Sequence, residues 1–181
     1  MAKLNVGCGM FPQKGWLNID ANPVTAPEAD LYVDLNQPLS TQVLSIGWAS
    51  NLPLTGLFDS VFCGHVLEHI RHEDVVPFLY DLRKIMAPGA RIGVVGPDIF
   101  RARQGGYSDD VVHACYGDPA RWDGTGEPHV WTCSEKGVVE VLEQAGFIEV
   151  EGIDIRDLDD EWPTVSRAWW QCAATARNPN F

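Results

Sequence analysis

The chain has 181 residues, enough for one domain with a real core and short for two. Its formal charge of −12 at pH 7 opposes a broad grip on phosphate backbones, so no nucleic-acid partner is expected. No segment approaches the ~18 apolar residues of a membrane span. The five cysteines (Cys8, Cys63, Cys115, Cys133 and Cys172) form no C-x-x-C pair, which argues against a disulfide framework or a zinc knot. A cytoplasmic protein with reduced thiols is the expectation.

In chain order, residues 3–6 read as a first strand that runs directly into Gly7-Cys8-Gly9. There the missing side chains let backbone amides approach a ligand. A dinucleotide fingerprint would need a third glycine at position 12, which is Pro12, so a nicotinamide oxidoreductase is disfavoured. A second strand over 16–20 ends at Asp20, whose carboxylate can accept both hydroxyls of a ribose. A third over 31–34 ends at Asp34, which can accept from an adenine amino group. Either aspartate alone reads equally as a turn residue. With the glycine loop, on successive strand ends, they point to a ligand.

The stretch 38–57 is a long connection, and a fourth strand follows over 60–63. Next comes His65-Val66-Leu67-Glu68-His69, which also spells the H-x-x-E-H pattern of a zinc hydrolase. Zinc would need His65 and His69 one turn apart on a helix and a third ligand downstream. The position just after a strand disfavours that reading, and no metal is expected. A helix is predicted over 73–86, with Val75, Val76, Leu79, Leu82, Ile85 and Met86 on one face and Pro88-Gly89 as its stop.

A fifth strand is expected over 91–95, then an irregular stretch over 98–130. Its glycines permit hinge motion, and Tyr107, Tyr116, Trp122 and Trp131 offer faces for an acceptor, so it reads as a substrate loop. Arg101, Arg103 and Arg121 lie among aspartates there and read as mixed, solvated surface. A second helix is expected over 133–145, with Thr132 and Glu135 in capping-box spacing and Gly146 as its stop. Strands over 147–155 and 168–176 close the chain. Strands alternating with helices imply a single α/β domain around an open, mostly parallel, seven-stranded sheet, with ligands at the carboxyl ends of the strands.

Taken together, several strings resemble the short class I S-adenosylmethionine (SAM) dependent methyltransferases. They are Leu4-Asn5-Val6-Gly7-Cys8-Gly9, Gly15-Trp16-Leu17-Asn18-Ile19-Asp20, Asp34-Leu35, Phe58-Asp59-Ser60-Val61, His65-Val66-Leu67-Glu68-His69 and Leu82-Arg83-Lys84-Ile85-Met86-Ala87-Pro88-Gly89. The likeness is to the methyltransferase-domain-11-like group with a G-C-G loop and a G-W-x-N-x-D strand. His129 ahead of a helix, Ala145-Gly146-Phe147 and residues 173–178 match the same group.

The resemblance implies a Rossmann-like, doubly wound fold with helices on both faces, SAM as cofactor and S-adenosylhomocysteine as product. It places Gly7 and Gly9 beside the methionine part of SAM, Asp20 at its ribose and Asp34 near its adenine, and counts Asn5, Cys8 and His65 among the cofactor contacts, His65 where the methyl group is presented. It also implies a small-molecule or glycan-like acceptor. Two departures stand out. Only eleven positions separate Gly9 from Asp20, too few for a long helix between the first two strands, and 38–57 is longer than the group's usual connection.

A sulfonium methyl is already activated, so the protein's main task is alignment. A hydroxyl, phenol or ammonium acceptor also needs a base, for which His65 is the first candidate and His129 the second. Glu68 and His69 are expected to line or brace the same turn. Asp98, Trp122 and Trp131 are expected to face the acceptor. Transfer to oxygen is slightly favoured over nitrogen or carbon, and the competing reading is a non-catalytic SAM-binding partner subunit.

Overall fold

The structure is a computed structural model that describes residues 2–35, 37–45, 56–104, 108–117, 128–163 and 169–180. Its seven strands are β1 (Ala2–Val6), β2 (Leu17–Asp20), β3 (Leu31–Tyr32), β4 (Phe58–Gly64), β5 (Met86–Pro97), β6 (Ile148–Ile153) and β7 (Gln171–Arg177). They form one sheet in the order β3-β2-β1-β4-β5-β7-β6. All are parallel except β7, which runs antiparallel to both β5 and β6. The chain winds outward from β1 toward β3 and then restarts at β4 on the other side. The reversal falls between β1 and β4, and sheets of this kind bind ligands at the carboxyl ends of the strands beside such a point.

Apolar side chains alternate between two cores. Val61, Cys63, Ile92, Val94, Cys172 and Ala174 face the larger one, under helices α1 (Leu39–Ser45), α2 (His72–Ile85) and α5 (Glu135–Gln144). Phe62, Val95 and Ala173 point the other way, beneath Trp16, Trp162 and the 3-10 turn Ile155–Asp157. Trp162 packs against Trp16 and Phe62 at centroid distances of 6.1 and 5.9 Å. Such ring pairs add about 0.5–1.5 kcal/mol each beyond area burial. Gly93 lets them pack closely, since a Cβ there would lie 3.1 Å from the Trp162 ring and press it outward. The connection from β1 to β2 is too short to lay a helix on this face, and tryptophan fills the space.

Several boundaries differ from the sequence expectation for identifiable reasons. The helix predicted over 73–86 spans His72–Ile85, and Pro88-Gly89 lies inside β5 and does not stop it. Met86 leaves the helix to pair with Phe58, and the Asn178 side chain donates to the carbonyls of Met86 and Ala87 at 3.0 and 3.1 Å. The second helix begins at Glu135, with Ser134 as its cap accepting from the Gly137 amide at 3.0 Å; Thr132 and Glu135 form no capping box. The Glu135 side chain pairs with Arg101 instead.

The third strand ends at Tyr32, and Asp34 lies beyond it, its backbone held by the Gln42 side chain of α1. The stretch expected to be irregular over 98–130 contains two short helices, α3 (Ile99–Gln104) and α4 (Ser108–Tyr116). Tyr107, Arg121 and Trp122 lie outside the described residues. Among the described residues no helix is long and apolar enough to cross a membrane.

Candidate functional site

The glycine loop sits on the tips of β1 and β2. Gly7 has φ +67°, and a Cβ there would come within 2.4 Å of Val66 Cγ2, so the loop and the turn after β4 touch only because position 7 is glycine. The amides of Gly7 and Cys8 donate to the Ile19 carbonyl at 2.8 and 3.1 Å, and the amide of Gly9 donates to Asp20 Oδ2 at 2.9 Å. They point into the protein, contrary to the sequence expectation, so the loop offers a ligand close backbone approach and not free N–H groups. The other Asp20 oxygen accepts from the Asn22 amide at 2.9 Å. Each carboxylate oxygen retains a lone pair for a further donor. Burial, then the charges of Asp20 and Asp30, push the Cys8 thiol up to about 12, so it stays protonated.

Asn18 replaces the missing helix. Its Oδ1 accepts from the Gln13 amide at 2.7 Å and from Asn5 Nδ2 at 3.0 Å, while its Nδ2 donates to the carbonyls of Gln13 and Trp16, both at 3.1 Å. Asp30 Oδ2 accepts from the Asn18 amide at 2.7 Å. Asn5 is therefore engaged within this network, buried behind the loop. Sequence reasoning assigned no role to Asn18 or Asp30. The signal was present in the asparagine of the G-W-x-N-x-D string, coupled to the shortness of the connection.

A cavity of about 440 Å³ lies beside Asp34, lined by Ala21, Tyr32, Val33, Asp34, Leu35, His69 and Ile70. It spans from the end of β3 to the turn after β4, so the Asp34 region and the His65–His69 region border one space.

His65 follows β4 with φ +57°, a left-handed backbone that costs a non-glycine residue about 1–3 kcal/mol and tends to mark functional positions. The turn then tightens into one 3-10 turn, Leu67–His69, before α2. The two histidines of H-x-x-E-H thus do not share an α-helix, and the zinc-hydrolase arrangement is absent. His65 Nδ1 lies 3.1 Å from Glu68 Oε1, and its Nε2 lies 2.9 Å from Gln171 Nε2. An ionised carboxylate only accepts, so Nδ1 carries the hydrogen and Nε2 presents a lone pair.

Glu68 is fully buried, and its Oε2 has no hydrogen-bond partner. Gly96 lies beside it and leaves room for Cys133, since a Cβ at that position would stand 2.9 Å from Cys133 Sγ. Burial pushes the Glu68 carboxyl up, but the His65 hydrogen bond and the charges of His65, His69 and His129 outweigh it and hold it below its ordinary value.

Residues 128–131 are fastened against this turn. The Val130 amide donates to the Glu68 carbonyl at 2.8 Å, the Trp131 indole donates to the Leu67 carbonyl, and His69 Nδ1 lies 3.3 Å from the Pro128 carbonyl. The His129 ring meets the His69 ring edge-on at 5.0 Å, with its Nδ1 3.1 Å from the Ala114 carbonyl. Burial lowers the His129 pKa and favours its neutral form. The fold thus brings His65, Glu68, His69 and His129 together.

Asp98 and Trp131 are used within the protein. Asp98 Oδ1 accepts from the amides of Phe100 and Arg101 at 2.8 and 3.1 Å, and its Oδ2 accepts from the Glu135 amide at 3.1 Å, so one carboxylate caps two helices. The Trp131 ring packs edge-on to His72 at 5.1 Å. Gln171, from the antiparallel strand, was not foreseen; nothing local in the sequence links it to a histidine 106 positions earlier.

No family model matches the chain, and no curated protein matches its sequence. Its fold does have solved counterparts. One is the CurJ carbon methyltransferase, with TM-score 0.61 and 12% identity over 99% of this chain; this chain spans 48% of that protein's length. A second is a SAM-dependent methyltransferase from Archaeoglobus fulgidus, with TM-score 0.58 and 15% identity, covering 97% of this chain and 85% of that one. A third is the N-methyltransferase NodS from Bradyrhizobium japonicum WM9, with TM-score 0.54 and 15% identity, covering 98% and 85%. At these identities the likeness is one of fold: the chain has the Rossmann-like fold that these methyltransferases share.

Proposed function

We propose that this chain is a SAM-dependent methyltransferase acting on a small-molecule or glycan-like acceptor, with oxygen as the favoured target atom. The observation that carries the reading is the Asp20 carboxylate at the tip of β2, which accepts from the amide of Gly9 and directly precedes Ala21, a lining residue of the cavity beside Asp34. Gly7, Cys8 and Gly9 would hold the methionine part, Asp20 the ribose and Asp34 the adenine edge. The 440 Å³ cavity between β3 and the turn after β4 is large enough for a nucleoside base and leaves it flanked by Ile70 and Tyr32. When bound, SAM supplies a methyl group on a sulfonium, activated without help from the protein.

The protein's own contribution is to orient the acceptor and receive its proton. His65 Nε2 is the acceptor for that proton, and Glu68 Oε1 holds the opposite ring nitrogen in its protonated form. Gln171 Nε2 now donates to the same His65 nitrogen, so an acceptor hydroxyl would take its place there. Glu68, ionised and buried, then stabilises the imidazolium. A base so placed serves a hydroxyl or phenol acceptor, whose proton must leave as the methyl group arrives.

The test is to incubate purified protein with methyl-labelled SAM and a small-molecule cell extract. Transfer of label to an extractable product, lost in His65→Ala, is the expected result. A folded protein that gives no labelled product would contradict catalysis.

A further inference from the structure

Among the described residues, Glu68, His69 and His129 each offer one ligand atom such that all three atoms lie within 4.8 Å of one another. Their hydrogen bonds decide which ring nitrogen of each histidine is free to ligate. His69 Nδ1 faces the Pro128 carbonyl and His129 Nδ1 faces the Ala114 carbonyl. A carbonyl only accepts, so both Nδ1 atoms carry hydrogen and both Nε2 atoms keep a lone pair. This is how proteins orient histidines that bind metals, with the far nitrogen fixed by a carbonyl. The third member supplies charge. Glu68 is fully buried, one of its oxygens has no partner, and among the described residues its only ion-pair contact is His65. A carboxylate so placed is costly without a cation to answer it.

We infer that Glu68, His69 and His129 form a binding site for one divalent first-row transition-metal ion. Two imidazoles and a carboxylate suit zinc, manganese, iron or cobalt better than the harder magnesium or calcium. Bonds of ~2.0–2.2 Å to each ligand require the three atoms to draw in slightly from their present spread. Three protein ligands leave coordination positions open. The staple of residues 128–131 onto the Leu67–His69 turn gives the site its second histidine across 60 positions of chain. Its proposed role, holding an acceptor oxygen next to His65 and easing loss of its proton, rests on the methyl-transfer reading; ion binding itself does not.

The experiment uses the full chain after dialysis against a chelator. Zinc is titrated by calorimetry and cobalt by visible absorption, and S-adenosylhomocysteine is titrated on the same preparations. One equivalent of zinc is expected to bind, with imidazole-type cobalt bands. His69→Ala and His129→Ala are each expected to weaken it by roughly 10–100-fold, as is Glu68→Gln, which keeps the side-chain shape. His72→Ala should change nothing. Absence of stoichiometric zinc binding by the folded protein, or equal affinity in the folded histidine and Glu68→Gln variants, overturns the inference. If a histidine variant does not fold, Glu68→Gln decides. Zinc binding without S-adenosylhomocysteine binding would sink the methyltransferase reading and leave the metal site standing; the reverse result would do the opposite.

Discussion

At the tips of β1 and β2 the polar groups close on themselves within a short length of chain. Gly9 reaches Asp20 over 11 positions, Asn5 reaches Asn18 over 13, and Gln13 reaches Asn18 over 5. Around the turn after β4 the bonds cross the molecule: His69 to Pro128 over 59 positions, Trp131 to Leu67 over 64, and Gln171 to His65 over 106. There two buried oxygens, Glu68 Oε2 and Gln171 Oε1, have no hydrogen-bond partner. The first region is a finished cradle whose shape is set before any ligand arrives, which lowers the ordering cost of binding. The second holds spare hydrogen-bonding capacity, and buried groups of that kind call for a ligand, an ion or a proton. We therefore assign cofactor binding to the first and acceptor chemistry to the second.

Substitutions should separate the two. The largest effect is expected from His65→Ala, which should slow methyl transfer by about 10²- to 10⁴-fold, the usual contribution of a general base, with S-adenosylhomocysteine affinity nearly unchanged. A tenfold loss of affinity would erase the division between the regions. Gly7→Ala should act in the opposite sense, through the cradle. A Cβ 2.4 Å from Val66 Cγ2 at φ +67° combines overpacking with left-handed strain, each of about 1–3 kcal/mol, and a large fall in melting temperature should report it.

Next in size, Asp20→Ala should cost ~1.5–3 kcal/mol of cofactor affinity, or roughly 10- to 150-fold by calorimetry. Asp34→Ala should cost less, near the ~1.5 kcal/mol lower end of that range, since it removes a single contact to an adenine amino group where Asp20 holds two ribose hydroxyls. Equal losses at the two aspartates would show that the ribose is not held at β2. The smallest effect is expected from Trp131→Phe, which loses the indole bond to the Leu67 carbonyl while keeping the ring; melting should fall by an amount equivalent to ~0.5–1.5 kcal/mol.

The same contrast explains what could be read from the sequence. The strands, the mostly parallel sheet and the closeness of the glycine loop to Asp20 were legible because their signals are local: apolar runs ending in glycine or aspartate, and a motif shared by two successive strands. Even there the sense of the loop amides was misjudged, because sequence does not say which way an N–H turns when a carbonyl such as that of Ile19 is within reach. His65, Glu68, His69 and His129 were each singled out, but not their convergence, which depends on residues 128–131 folding back onto the Leu67–His69 turn. Asp98 and Trp131 are expected at the acceptor from their positions and residue types. In the fold, Asp98 caps two helices and Trp131 fastens the returning segment, roles set by groups 37 and 64 positions away. The end of α2 was misplaced for the same reason: Asn178 supplies its cap from 92 positions on.

If the Gly7–Asp20 loop and the cavity beside Asp34 together hold the adenosyl cofactor, S-adenosylhomocysteine must bind there. Calorimetric titration of the purified protein with S-adenosylhomocysteine tests it most directly. One equivalent is expected to bind, with affinity lowered in Asp20→Ala and kept in His65→Ala. A folded protein that takes up no S-adenosylhomocysteine, or binds it equally well with alanine at position 20, would contradict it.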